Sequence, residues 1–365
     1  MWIRIFALME KEFHVIWRDK RARFALILPP LIQLLIFVFA ITLDVSQTTI
    51  GIIDHDDGPL GFELKQRLQG SPIFQNIVPL ANHQEAKNFI NKQKGLLVLS
   101  IDEDFSRNVL SNKTASLQLI LDGKKSNSAQ IVTGYLNDIL KSFLKETSPM
   151  NTLPEPITRN WFNPNLIYRW YTVPSITGLL IMLISLVVTS MSVARERELG
   201  TFEQLLVSPL NNGEILLGKA LPALLIALVE GTFIVIIGCF LYQIPFQGSI
   251  LLLWLSMAIF ISSIVGIGLF ISSLCSTQQQ AFLGTFTFMS PAVTLSGFAT
   301  PIENMPQWLQ YVTYAIPLRY YLFIAKGIFL KNINFWQILP SLAAMGFIAT
   351  ITLSLAAFLF HRRIQ

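Results

Sequence analysis

The stretch VPSITGLLIMLISLVVTSMSVARERELGTFEQLLVSPL, Val173–Leu210, decides the fold. No charged residue occurs between Val173 and Ala194, and a bilayer core of about 30 Å needs roughly 20 apolar residues of helix to cross it. The run then meets four alternating charges, Arg195, Glu196, Arg197 and Glu198, followed by Gly200 and Thr201. Beyond them Leu199, Phe202, Leu205, Leu206 and Leu210 share one helical face, while Glu198, Glu203 and Gln204 point elsewhere. Pro209 ends or kinks that short helix. Arginines at a helix end are ordinary membrane anchors, but an anchor needs neither glutamates nor an apolar face. A short amphipathic helix too small to be a domain suits docking into a partner's groove.

The composition agrees with a membrane protein. The chain has 365 residues, 52% of them hydrophobic and 13% charged, with a mean hydropathy of +0.53. Soluble domains carry about 25% charged residues. The spacing predicts an α-helical integral membrane protein with six transmembrane helices, at 24–43, 173–194, 220–242, 250–274, 280–298 and 338–360. The 23 residues before the first run are too long and helical for a secretory leader and predict an uncleaved anchor. Within 1–23, Trp2, Ile5, Phe6, Met9, Phe13, Ile16 and Trp17 recur at helical spacing among basic residues, which predicts an amphipathic helix lying along the membrane surface.

Orientation is read from Lys and Arg in the short flanks. They crowd the N-terminus, the 195–219 segment and the His361-Arg362-Arg363 end, while Gln243–Ser249 has no charge. Both termini and 195–219 are therefore expected in the cytoplasm. The 44–172 region is then extracytoplasmic, with 13 basic and 13 acidic residues. It alternates β-like runs (Thr49–Ile53, Gly95–Ile101, Ser116–Leu121) with helical stretches, which predicts a small α/β domain between the first and second spans. Segment 299–337 is apolar and aromatic but broken by Pro301, Pro306 and Pro317. It reads as short re-entrant or interfacial helices rather than a straight span.

Candidate chemistry is sparse. The net charge of +5 comes with no basic stripe, so nucleic acid is not an expected partner. Gly213–Lys219 matches GxxxxGK, but Ala220 stands where a phosphate loop needs Ser or Thr, and no strand precedes it. Lys219 then reads as a basic residue at the cytosolic mouth of the third span. Asp54-His55-Asp56-Asp57 precedes Gly58-Pro59 and reads as a strand-to-turn loop rather than a metal site. No metal site and no catalytic residue is predicted. Glu230 is the only acidic residue inside a predicted span. It marks either the translocation path or a hydrogen bond between helices. Ser262, Ser263, Gly266, Gly268, Gly284, Thr285 and Thr287 predict close helix packing.

At these residues the sequence resembles the ABC-2 family of ATP-binding-cassette permeases. ARERELGTFEQLLVSPL (194–210) is similar to that family's cytosolic signature, and LSGFATPIENMP (295–306) to its segment after the fifth span. RNWFNPNL (159–166), LQLILDGKKSNSAQ (117–130) and FISSLCSTQQQAF (270–282) extend the likeness, to the multidrug-type branch, over essentially the whole chain. The resemblance implies a bacterial inner-membrane exporter subunit for small molecules such as drug-like compounds or cations. It binds no cofactor itself, and ATP and Mg sit on two copies of a separate ATPase. It implies a second permease copy, identical or related, with a periplasmic adaptor as a further candidate partner. By the same resemblance Arg195, Glu196, Arg197, Glu198, Gly200, Thr201, Phe202, Glu203, Leu205, Leu206 and Pro209 form the ATPase-docking coupling helix. Phe202, Leu205 and Leu206 are expected as its apolar contact. Gly297, Pro301, Met305 and Pro306 form an outer gate, and 1–23 an elbow helix. Two other classes compete. One is a non-transporting permease that works a periplasmic partner, for which six spans are too many. The other is an ion-coupled carrier using Glu230, for which no internal repeat is found.

Overall fold

The computed structural model describes residues 1–18, 20–40, 48–92, 94–111, 113–121, 126–147, 167–207 and 210–362. They form two compact units: Met1–Ile41 with Asn160–Gln365, and Thr42–Arg159.

The smaller unit is an α/β layer. Strands β1 (Thr48–Asp54), β2 (Phe74–Pro79), β3 (Leu97–Ile101) and β4 (Leu117–Leu121) lie in the order β2-β1-β3-β4. β1 runs parallel to both β2 and β3, while β4 is antiparallel to β3. β3 (LVLSI) is buried at every position, as a central strand covered on both faces must be. Helices α3 (Pro59–Gln69), α4 (His83–Asn91), α5 (Phe105–Leu110) and α6 (Ser126–Thr147) supply the cover, with Leu64, Leu68, Phe105, Leu136 and Phe143 in the main core. The loop after β1 is held by its own acid. Asp56 accepts hydrogen bonds from the Ser106 and Gly61 amides and the Ser106 hydroxyl, so its carboxylate is already in use inside the fold.

The larger unit is helical. α1 (Trp2–Arg18) and α2 (Lys20–Ala40) precede the α/β unit in sequence. After it come α7 (Tyr168–Glu198), α8 (Phe202–Val207), α9 (Asn212–Tyr242), α10 (Ile250–Leu274), α11 (Gln278–Leu295), α12 (Gln307–Thr313), α13 (Pro317–Lys331) and α14 (Phe335–Arg362), with a 3-10 turn at Ile302–Asn304. Four of these, α7, α9, α10 and α14, are long and apolar enough to cross a membrane. Of the six expected spans, those are the second, third, fourth and sixth. For the first, α2 opens with Lys20, Arg21 and Arg23, and the described residues stop at Ala40. For the fifth, α11 has 18 residues and starts with three glutamines.

α7 is the axis of this unit. Of its apolar window 72% is buried, against 28% for α9 and 22% for α14. Its buried hydroxyls donate to carbonyls one turn back: Ser185 to Ile181 at 2.7 Å and Thr189 to Ser185 at 2.6 Å. That bond satisfies each hydroxyl locally and lets polar residues sit in an apolar helix. Close packing rests on small residues, as the sequence predicts for Gly266, Gly268 and Thr285, whereas Thr287 is exposed. A Cβ on Gly268 of α10 would lie 1.8 Å from Thr189 Oγ1, and one on Gly266 2.3 Å from Thr352 Oγ1 of α14. Thr285 Oγ1 of α11 meets Ser190 Oγ at 2.7 Å. Gly178 leaves room for Tyr321, whose ring stacks on Phe260 with centroids 4.5 Å apart.

Candidate functional site

The four-charge cluster closes the C-terminus of α7, and its side chains part toward two sides. Leu199 ends the helix and Gly200 takes φ +70°. The Thr201 amide donates to the Glu196 carbonyl at 3.0 Å and the Gly200 amide to that of Arg197 at 3.1 Å. This paired closure needs a left-handed residue after the cap, which is why glycine stands there. A Cβ at position 200 meets nothing within 4 Å, so the constraint is purely conformational. Gly200→Val is expected to destabilise the turn by about 1–2 kcal/mol, whereas Gly200→Asn is tolerated. Limited proteolysis between α7 and α9 reads the difference.

Glu196 points inward. Its Oε1 accepts from Lys11 Nζ of α1 at 2.8 Å, and its Oε2 lies 2.8 Å from Lys219 Nζ of α9. Lys219 also donates to Glu12 Oε1 of α1 at 2.8 Å and to Ser192 Oγ at 3.2 Å. Glu12, Glu196 and Lys219 are each under 9% exposed. Three helices thus share one buried ion network at the foot of α7 and α9. Lys219, near the start of α9, is thus buried and ion-paired rather than part of a phosphate loop. The match lies wholly within α9, which starts at Asn212 behind a capping box formed by Asn211 and Glu214. Gly218 lets Leu8 of α1 approach, since a Cβ there would be 2.4 Å from Leu8 Cδ2.

Arg197 and Glu198 address the opposite neighbour. Arg197 Nη1 donates to the carbonyls of Ser273 at 2.9 Å and Cys275 at 3.1 Å, at the end of α10. Glu198 accepts from the Gln278 amide at 2.8 Å and from Gln278 Nε2 at 3.2 Å, at the start of α11. The cation therefore faces a helix C-terminus and the anion a helix N-terminus, each the favourable end of its dipole. Ser272 Oγ accepts from the Val193 and Ala194 amides, a further tie between α10 and α7.

Phe202 differs from the expectation of an outward apolar contact. It is 8% exposed, its ring meets Phe360 of α14 edge-on at 5.7 Å, and the Arg197 guanidinium lies 5.0 Å above it. It anchors α8 to its own chain, because burial against Phe360 removes more apolar surface than an exposed face permits. Gln204 and Val207 are exposed. The side chains of Glu203, Leu205 and Leu206, and the whole of Pro209, lie outside the described residues. Arg195 borders a groove against α1.

Glu230 lies midway along α9 and is half-buried, and among the described residues no hydrogen bond or ion pair reaches it. An interhelical hydrogen bond within one chain is thus not its role among those residues. Its neighbours Val229 and Phe233 are exposed. Gly297 takes φ +84° at the turn after α11, Pro301 caps the 3-10 turn, and Met305 and Pro306 lead into α12. Gln310 Nε2 donates to the Met305 carbonyl at 2.9 Å, fixing that lead-in.

Residues 20–358 match the family described as ABC-2 family transporter protein. The chain belongs to the ABC-2 transporter family. It is 46% identical over the whole of both chains to the "Probable multidrug ABC transporter permease YbhR" of Escherichia coli strain K12. It is 32% identical to "Probable multidrug ABC transporter permease YbhS" of the same strain, over 91% of this chain and 89% of the relative. The "Inner membrane transport permease YhhJ", also of that strain, is 26% identical over 99% of this chain and 97% of its own length. An ABC-2 chain of this kind is a non-catalytic membrane permease, and the family implies an ABC ATPase as its partner.

Of the network residues Glu12, Lys219 and Glu196, sequence reasoning passed over Glu12 and gave Lys219 no partner. One signal for them exists. A lysine inside an apolar helix needs a partner, and an acid between Leu8 and Val15 interrupts an otherwise apolar face.

Proposed function

We propose that this chain is the permease half of an exporter that moves small molecules out of the cytoplasm, driven by ATP hydrolysis with Mg on two copies of a separate ATPase. The Arg195–Pro209 region docks that ATPase, with Phe202 as the internal anchor and Gln204 and Val207 on the open side of α8. Six spans, cytoplasmic termini and an extracytoplasmic α/β unit complete the topology, in the bacterial inner membrane. A second permease, a like copy or a related one, completes the pathway. Glu230 on the thinly covered face of α9 lines the path, and Gly297, Pro301, Met305 and Pro306 shape its outer gate.

The observation that carries this reading is the buried Glu12–Lys219–Glu196 network, which the exposed Lys11 joins at its rim. It ties the docking segment to the feet of α7 and α9 and to α1, so a push on the segment moves all three as one body. ATP binding draws the ATPases together, the docking segments follow, and α7 and α9 pass the displacement to the cavity between permeases. Glu198→Lys and Glu203→Lys test the docking. At position 198 lysine places a cation at the N-terminus of α11, which expels it from the turn. Both variants are expected to insert normally yet lose ATPase co-purification and efflux. Retention of both properties by both variants contradicts the docking assignment.

A further inference from the structure

An open groove of about 500 Å³ is lined by Lys11, His14, Val15 and Arg18 of α1 and by Arg195 of α7. The α1 residues recur at three- and four-residue spacing and so share one face. Two acids near this face are engaged, Glu196 by Lys11 and Lys219, and Glu12 by Lys219, while Glu10 lies exposed one turn before His14. His14 Nδ1 lies 2.9 Å from the Glu10 carbonyl, which only accepts, so that nitrogen carries the proton. The groove thus gathers Arg18, Arg195, an imidazole and Lys11, the last paired with Glu196. On the same helix Trp2, Phe6 and Trp17 are 72%, 68% and 70% exposed, and Arg23 lies over the Trp17 ring at 5.7 Å. Wide apolar and aromatic exposure beside a basic face is the pattern of a helix at the level of lipid headgroups.

We infer that this groove binds an anionic phosphate group, that of an acidic phospholipid headgroup. Arginine pairs with phosphate oxygens bidentately, and basic pockets beside membrane helices hold anionic headgroups. The exposed aromatic side chains elsewhere on α1 offer acyl chains a surface that a soluble anion or an acidic peptide does not need. A bound headgroup bridges α1 to Arg195, the residue before Glu196, and so braces the docking segment from the lipid side.

The test is native mass spectrometry of the purified full-length chain after exchange into mixed phosphatidylglycerol and phosphatidylethanolamine. The wild type is expected to retain phosphatidylglycerol over phosphatidylethanolamine. Arg18→Gln should lower that retention about fivefold, the effect of roughly one surface charge, and Arg18→Lys should restore most of it. Displacement by millimolar inorganic phosphate assigns the groove to a soluble phosphate, and resistance to it assigns the groove to lipid. Equal retention of both lipids, or no change in Arg18→Gln, overturns the inference. So does a result in which Arg18→Gln loses the partner ATPase while the wild type retains no acidic lipid, which marks an acidic protein segment instead. The inference rests on the interfacial placement of α1. Quenching by brominated lipid in a variant keeping only Trp2 and Trp17 reports that placement separately.

Discussion

Lys219→Met is expected to destabilise the helical unit by about 3–5 kcal/mol, the usual cost of removing one partner from a buried ion pair. Lys219 is 2% exposed, and its ammonium sits 2.8 Å from Glu12 and 2.8 Å from Glu196. Methionine has a similar length, so packing is nearly kept while the charge is lost. Glu196 retains Lys11, but Glu12 is left as a buried carboxylate without its counter-charge. The cost therefore falls on Glu12, and α1 is the element that should detach. Glu12→Gln/Lys219→Met removes both charges and should recover most of the loss, because neutral groups bury at lower cost. Thermal unfolding of the purified chain, followed by Trp2 and Trp17 fluorescence, measures both variants. If the double variant is no more stable than Lys219→Met, the buried charge is not the cause.

Why this network was illegible in the sequence is a matter of distance along the chain. Glu12 and Lys219 are 207 residues apart, and no periodicity links them. What periodicity does report is local. The apolar runs at 173–194, 220–242, 250–274 and 338–360 all fall within α7, α9, α10 and α14, because length and apolarity alone define them. In α1 the apolar residues were legible but their sides were not. Ile5, Leu8 and Glu12 are buried, while Trp2, Phe6 and Phe13 lie open. Burial selects one apolar stripe for protein and leaves the other for its surroundings, and composition cannot rank them. Strand β2 (FQNIVP) was missed because it is an edge: Gln75 and Asn76 are exposed, and Pro79 ends it. The alternating signs of Arg195–Glu198 announced a special site, yet only the fold shows that they also serve α9, α10 and α11.

Gly268→Ala is the second large effect expected, since the new Cβ would lie 1.8 Å from Thr189 Oγ1 and 2.8 Å from its Cβ. Neither neighbour is a flexible side-chain end. Thr189 is β-branched, fully buried and bonded to the Ser185 carbonyl, so relief requires α7 and α10 to separate. Overpacking of this kind costs about 1–3 kcal/mol, and here the upper end applies because two long helices must shift together. The same shift strains the Ser272 bonds to the Val193 and Ala194 amides and the Arg197 bonds to the end of α10. A substitution deep between helices should therefore also loosen the docking turn, lowering ATPase co-purification along with stability. Gly268→Ala/Thr189→Ala removes the nearest atom and should recover about 1 kcal/mol or more relative to the sum of the single changes. Additive single effects in that cycle contradict a direct steric contact. If coupling appears in stability while ATPase binding stays unchanged, α10 does not support the turn that Arg197 and Glu198 bridge.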